Sequence, residues 1–276
     1  MTAPIPLYQI DSFATEVFCG NPAAVCPTDQ WLDEAVMQNL AAENNLSETA
    51  FVVPDETGDA DYGLRWFTPK LEVDLCGHAT LATAWVLFNE IGVDQDMLTF
   101  STQSVGNISV HRGEGGLLTM DFPVSKPRPV PHPEKLGFAL GGNQHKSPAL
   151  EYYKAPNDMM LAVLGSAQEV IDLKPQLWAI AELGPHGLIV TAKGEEGSGL
   201  DFVSRFFAPQ VGISEDPVTG SAHTVLAPYW AKRLKKESFK ARQVSKRGGD
   251  VYCEMAGERV HISGRAVLYL KGEARI

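Results

Sequence analysis

The stretch that decides the fold is Asp74-Leu75-Cys76-Gly77-His78-Ala79-Thr80-Leu81-Ala82-Thr83-Ala84-Trp85-Val86-Leu87-Phe88. After its opening glycine it reads as a helix over 78–88 with apolar residues on nearly every face: Ala79, Leu81, Ala82, Ala84, Trp85, Val86, Leu87 and Phe88. A helix that is apolar all round must be covered on all sides. No apolar run in the chain reaches the ~20 residues that a bilayer crossing requires, so the cover has to come from the protein itself. The neighbouring segments are short and strand-like. Residues 7–11, 98–101, 107–110 and 117–122 carry β-type side chains bounded by Gly, Asp or Pro. The expected architecture is α+β, with a curled, barrel-like sheet around a central helix.

The same stretch has a second copy. Arg65-Trp66-Phe67-Thr68-Pro69 returns as Arg205-Phe206-Phe207-Ala208-Pro209 after 140 residues. Cys76-Gly77-His78-Ala79-Thr80 returns as Thr219-Gly220-Ser221-Ala222-His223 after 143, and Ser104 has its counterpart in Ser245 after 141. Three landmarks in one order at one offset imply two pseudo-symmetric halves. The expected division is 1–123 with a C-terminal strand 266–276, and 124–265, with the active site in the cleft between them. The proline-rich segment 123–133 reads as the linker. The second buried helix, expected over 221–235, contains Pro228, which should kink it. A shorter amphipathic helix is expected over 32–44.

Composition narrows the function. The 276 residues are 44% hydrophobic and 21% charged, with a formal net charge of −11, and no basic patch marks a nucleic-acid or anionic-membrane partner. The start of the chain lacks a charged region followed by an apolar one, so a cytoplasmic protein without signal peptide is expected. Cys19, Cys26, Cys76 and Cys253 lie far apart with no C-x-x-C, which predicts free thiols and no structural zinc. Neither G-x-G-x-x-G, a Walker A motif nor H-E-x-x-H is present. No cofactor and no metal are therefore expected.

Chemistry is expected where the two buried helices begin, because a helix N-terminus exposes N–H groups and positive potential to an anion. That places Cys76, Gly77 and His78 in one half, and Asp216, Thr219, Gly220 and Ser221 in the other. Four ordered motifs then resemble the PhzF family of phenazine-biosynthesis isomerases, which shares the diaminopimelate epimerase-like fold. They are Gly20-Asn21-Pro22-Ala23-Ala24-Val25, Asn45-Leu46-Ser47-Glu48-Thr49-Ala50-Phe51, Leu75-Cys76-Gly77-His78-Ala79-Thr80-Leu81-Ala82 and Glu215-Asp216-Pro217-Val218-Thr219-Gly220-Ser221-Ala222. The resemblance spans essentially the whole chain. It implies a cofactor-independent isomerase acting on a small carboxylate-bearing substrate, commonly as a homodimer. It also implies that Glu48 is the acid–base residue and that His78, Asp216 and Ser221 surround the substrate, with Asn21 a secondary contact and Ser47 beside the glutamate.

Each residue has a plainer reading. Glu48 could be a solvated loop carboxylate. Cys76 could be a small buried hydrophobe, or a thiol whose pKa the helix N-terminus lowers. His78 could be satisfied by a backbone carbonyl, Asp216 could close a turn, Thr219 and Ser221 could cap the helix, and Asn21 could belong to a turn. His223 reads as structural. Racemases of this fold place a cysteine at the start of each central helix. Here Thr219 stands at the second position, so a symmetric two-thiol racemase is disfavoured. A lyase, dehydratase or epimerase using Cys76, or a binding protein on the same fold, remains open beside the isomerase. If Glu48 is the base, burial should raise its pKa toward neutrality. Substrate specificity is expected from side chains in 59–62 and 145–153, His145 among them.

Overall fold

The computed structural model describes residues 4–142, 148–156 and 158–276; His145 and its neighbours up to residue 147 lie outside the described residues. The chain forms two compact units, Met1–Asp121 with Ser263–Ile276, and Phe122–Ile262.

In the first unit, β1 (Ile5–Ser12) pairs antiparallel with β2 (Asn21–Pro27) on one side and with the C-terminal strand Ala266–Ala274 on the other. Helix α1 (Glu34–Asn44) connects β2 to a parallel partner, β3 (Glu48–Pro54), which pairs antiparallel with β4 (Tyr62–Phe67). The two-residue β5 (Glu72–Val73) folds back on β4 and leads into α2 (Gly77–Val86). Strands β6 (Met97–Ser101), β7 (Ile108–Arg112) and β8 (Leu118–Pro123) follow. Eight residues of α2, His78 to Ala84 and Val86, are buried, and the helix packs against β1, β2, β3, β7 and the C-terminal strand. The all-round apolar sequence thus folds as its composition requires. The helix runs on through a π-helical turn, Leu87–Ile91, and stops at Gly92, whose φ of 80° suits a glycine cap.

The second unit repeats the scheme. Strands β9 (Arg128–Pro129) and β10 (Glu151–Lys154) flank the short α3 (Leu136–Ala139) in sequence. Strand β11 (Met159–Val163) pairs in parallel with β12 (Gly187–Lys193) across helices α4 (Ala167–Ile171) and α5 (Leu177–Glu182). Strand β13 (Phe202–Ala208) pairs antiparallel with β12, and β14 (Ile213–Asp216) folds back on it before α6 (Gly220–Leu234). Strands β15 (Ser238–Gln243), β16 (Gly249–Ala256) and β17 (Arg259–Gly264) complete the element order. Helix α6 is covered on several sides. Trp230 stacks on Phe202 of β13 at 5.7 Å and its Nε1 donates to the Thr191 hydroxyl of β12, while β16 packs along the helix.

Helix α6 continues through Pro228. Proline at that position removes the N–H that would bond the Thr224 carbonyl one turn back; that carbonyl accepts the Ser125 N–H instead, at 3.1 Å. The vacated acceptor is therefore satisfied from outside the helix. The start of 123–133 is likewise tied into the second unit. Val124 N–H donates to the Glu258 carbonyl, Lys126 pairs with Glu258 at 2.7 Å, and Arg128 and Pro129 form β9 against β10.

The duplication extends to side chains. Arg65 grips Glu72 with two hydrogen bonds of 2.7 and 2.6 Å, and Arg205 grips Glu215 with two of 2.6 and 2.9 Å. Each fork staples a strand to its return strand just before the buried helix. Ser104 donates to Asp74 at 2.6 Å and Ser245 donates to the Pro217 carbonyl at 2.8 Å, each holding the residue two before the helix cap.

Candidate active site

In the first unit, the start of α2 lies under the ends of β1, β2 and β3. Gly20 makes this approach possible. Its φ is +67°, and a Cβ there would stand 2.1 Å from the Ser12 carbonyl oxygen. The next residue, Asn21, is fully buried and sits opposite Ser12 in the β1–β2 ladder. Ser12 in turn donates from Oγ to the His78 carbonyl at 2.7 Å. Glu48, first residue of β3, is beside Ala23 in the parallel β2–β3 register.

Three side chains converge on the His78 ring, and a fourth, Ser47, holds one of them. Asn21 Nδ2 is 3.1 Å and Cys76 Sγ 3.5 Å from Nδ1, and Glu48 Oε2 is 3.1 Å from Nε2. Ser47 Oγ donates to Asn21 Oδ1 at 3.2 Å. Glu48 is 8% and His78 5% exposed, so the carboxylate is not a solvated loop group. The Glu48–His78 approach is at ion-pair distance, yet neither Oε2 nor Nε2 meets hydrogen-bond geometry with any group among the described residues.

The surroundings act differently on Cys76 and His78. Burial first, and the Glu48 charge second, push the Cys76 thiol up to about 11. The helix N-terminus does not lower it below the ordinary range, and Cys76 at neutral pH is a protonated, buried thiol. Burial would push His78 down, but the sulfur of Cys76 and the carboxylate of Glu48 outweigh it and hold His78 above the usual range. The sulfur acts in this sense only when ionised; with the thiol protonated, Glu48 alone opposes burial. Glu48, Cys76 and His78 have ligand atoms within 4.8 Å of one another. One imidazole presents one nitrogen to an ion, however, and Cys76 lies off Nδ1 while Glu48 lies off Nε2. Cys76 and Glu48 thus face opposite nitrogens of the ring rather than a common centre.

In the second unit, Asp216, Thr219, Gly220 and Ser221 also gather at a helix start. Thr219 donates from Oγ1 to Asp216 Oδ2 at 2.5 Å instead of capping α6. Gln243 locks this turn: its Oε1 accepts the Thr219 N–H at 2.9 Å and its Nε2 donates to the Asp216 carbonyl at 2.7 Å. Sequence reading missed Gln243, whose signal would have been its place at the end of the strand after the second central helix. His223 is structural: fully buried, with Nδ1 donating to the Thr219 carbonyl at 2.8 Å. Thr80 makes the matching bond to the Cys76 carbonyl in the first unit, at 2.7 Å.

Comparison with known proteins agrees with this architecture. Residues 10–272 match the family model described as phenazine biosynthesis-like protein. An uncharacterized isomerase of Pseudomonas aeruginosa is 49% identical over 268 residues, covering 97% of this chain and 98% of that one. The crystal structure of a PhzF-family phenazine biosynthesis protein from Enterococcus faecalis superposes with a TM-score of 0.91 at 47% identity, covering 99% and 100% of the two chains. A predicted epimerase from Pseudomonas aeruginosa shares the fold, with a TM-score of 0.76 at 21% identity and 98% of each chain covered. The fold is the epimerase-like α+β fold that the motif resemblance implied. No helix among the described residues is long and apolar enough to cross a membrane.

Proposed function

The chain belongs to the phenazine biosynthesis-like protein family and is an isomerase, and from that premise we propose that it moves a carbon-bound proton on a small carboxylate-bearing metabolite, with Glu48 as general acid and base. The observation that carries the reading is the unbonded 3.1 Å approach of Glu48 Oε2 and His78 Nε2, both buried at the start of α2. A carboxylate in that position can take a proton from carbon and return it to another carbon. Histidine beside it keeps the charge balanced as the carboxylate alternates between its two forms. The carbanion formed in between is enolate-like, and N–H groups of a helix first turn stabilise such charge electrostatically.

Cys76 is the competing base, and its state argues against it. A thiol held near 11 supplies little thiolate at neutral pH. Thr219, its counterpart in the other half, has its hydroxyl committed to Asp216. The two-sided thiol chemistry of a racemase thus lacks its second thiol. Asp216 and Ser221 enter the proposal as substrate-binding groups through the family motif, and homodimer assembly and a cytoplasmic setting through the family resemblance.

The test is solvent exchange. The protein is incubated in D₂O with amino and cyclic carboxylic acids, including 2,3-dihydro-3-hydroxyanthranilate, and proton NMR follows loss of carbon-bound hydrogen. Deuterium entering one carbon position of a compound supports the reading. A turnover that moves no carbon-bound proton refutes it.

A further inference from the structure

Asn21, a secondary substrate-contact candidate by sequence, is fully buried and bonded to Ser47 and His78. We propose that Asn21, oriented by Ser47, is a positioning residue that keeps His78 Nδ1 a hydrogen-bond acceptor and so holds the ring proton on Nε2, toward Glu48. The inference rests on the Glu48 reading for its functional meaning, though not for its structural content.

The hydrogen-bond inventory carries it. Ser47 Oγ donates to Asn21 Oδ1 at 3.2 Å, which turns the amide so that Nδ2 faces His78 Nδ1 at 3.1 Å. An amide NH₂ can only donate. The second neighbour of Nδ1 is the Cys76 sulfur at 3.5 Å, which can donate or accept. Against an amide that only donates, Nδ1 has to present its lone pair, and the proton of the neutral imidazole is left to Nε2. Nε2 is the nitrogen 3.1 Å from Glu48 Oε2.

The second unit supplies an internal contrast. His223 Nδ1 meets a carbonyl, which only accepts, so there the proton is on Nδ1 and Nε2 is bare. The two central helices thus hold their histidines in opposite tautomers. In the first, a strand asparagine reaches across to choose the tautomer; in the second, the helix's own backbone does so. Gly20, next in the chain to Asn21, has no room for a side chain: a Cβ there would stand 2.1 Å from the Ser12 carbonyl oxygen.

The test needs no substrate. Protein labelled with ¹⁵N-histidine is examined by two-bond ¹H–¹⁵N NMR, with His78 assigned by the signals lost in His78→Gln. Spectra are taken at a pH above the raised pKa of His78, where the ring is neutral, and the expected wild-type pattern there is a pyridine-like Nδ1 and a pyrrole-like Nε2. In Asn21→Asp the carboxylate can only accept, and Nδ1 should become pyrrole-like. Ser47→Ala frees the amide to turn over, and should give a mixed pattern even if Asn21→Asp does not fold. A protonated Nδ1 in the wild type overturns the proposal, as does an unchanged ring pattern in both variants. Failure of the Glu48 reading would register separately, as carbon-proton exchange that survives Glu48→Gln, and would leave the ring pattern as it is.

Discussion

Replacing His223 by asparagine should flatten part of the acid sensitivity of this protein. His223 is wholly buried, its Nδ1–H goes to the Thr219 carbonyl, and its Nε2 meets no partner. A second proton would place a charge on Nε2 with nothing to accept it. Burial accordingly lowers the pKa from 6.5 to about 4. The unfolded chain binds this proton near pH 6.5 and the folded chain does not, so the unfolded state holds more protons between the two values. The stability contributed by neutral His223 is complete above pH 6.5 and is lost as pH falls toward 4. Each unit of displacement is worth about 1.4 kcal/mol, so the loss across this window amounts to about 3 kcal/mol. Asparagine keeps a donor for the Thr219 carbonyl and carries no titrating group. Urea unfolding of both proteins at pH 7.5 and pH 4.5 isolates the effect, because other groups titrate alike in the two. His78, held upward, acts in the opposite sense: its contribution is present below pH 6.5 and lost as pH rises through its folded value. The variant should be less stable than wild type at pH 7.5 and should close most of that gap at pH 4.5. A gap that stays constant across the window would refute the reasoning.

Three other predictions follow from packing and burial. Leu81→Ala, at a fully buried position in α2, should cost roughly 2–5 kcal/mol through lost burial and the cavity left behind, read from the denaturation midpoint. With Cys26, Cys76 and Cys253 buried and only Cys19 partly exposed, a bulky disulfide reagent should titrate one thiol quickly in the native protein and four after unfolding. Fast reaction of Cys76 would contradict its raised pKa. Gly20→Ala should destabilise the protein by on the order of 1–3 kcal/mol, since the residue takes a positive φ and abuts the Ser12 carbonyl. The same change should broaden the His78 ring signals.

Much of this was legible in the chain because it was written in patterns with one physical solution. An apolar helix over 78–88 can be stable in water only if covered, and a repeat at an offset near 140 residues demands two like halves. What could not be read were contacts between residues far apart in sequence. Nothing local to Asn21 marks it as the partner of His78, 57 positions away. Gln243 reaches back 24 residues to hold the Thr219 turn. The thiol of Cys76 illustrates a contest of magnitudes: the helix-end field favours thiolate, but burial beside the Glu48 charge outweighs it. Pro228 shows the same limit, since its tolerance depends on Ser125 arriving from a segment that composition alone marks as a linker.

The central claim is that Glu48, and not Cys76, moves the proton. Its most direct test is the rate of carbon-proton exchange in D₂O for wild type, Glu48→Gln and Cys76→Ala, using a carboxylic acid that the wild type exchanges. The account predicts that Glu48→Gln lowers the rate by roughly 100-fold or more, the contribution typical of a positioned acid–base group, with the larger loss in Glu48→Gln than in Cys76→Ala. Exchange that survives Glu48→Gln, or that is abolished by Cys76→Ala alone, would contradict it.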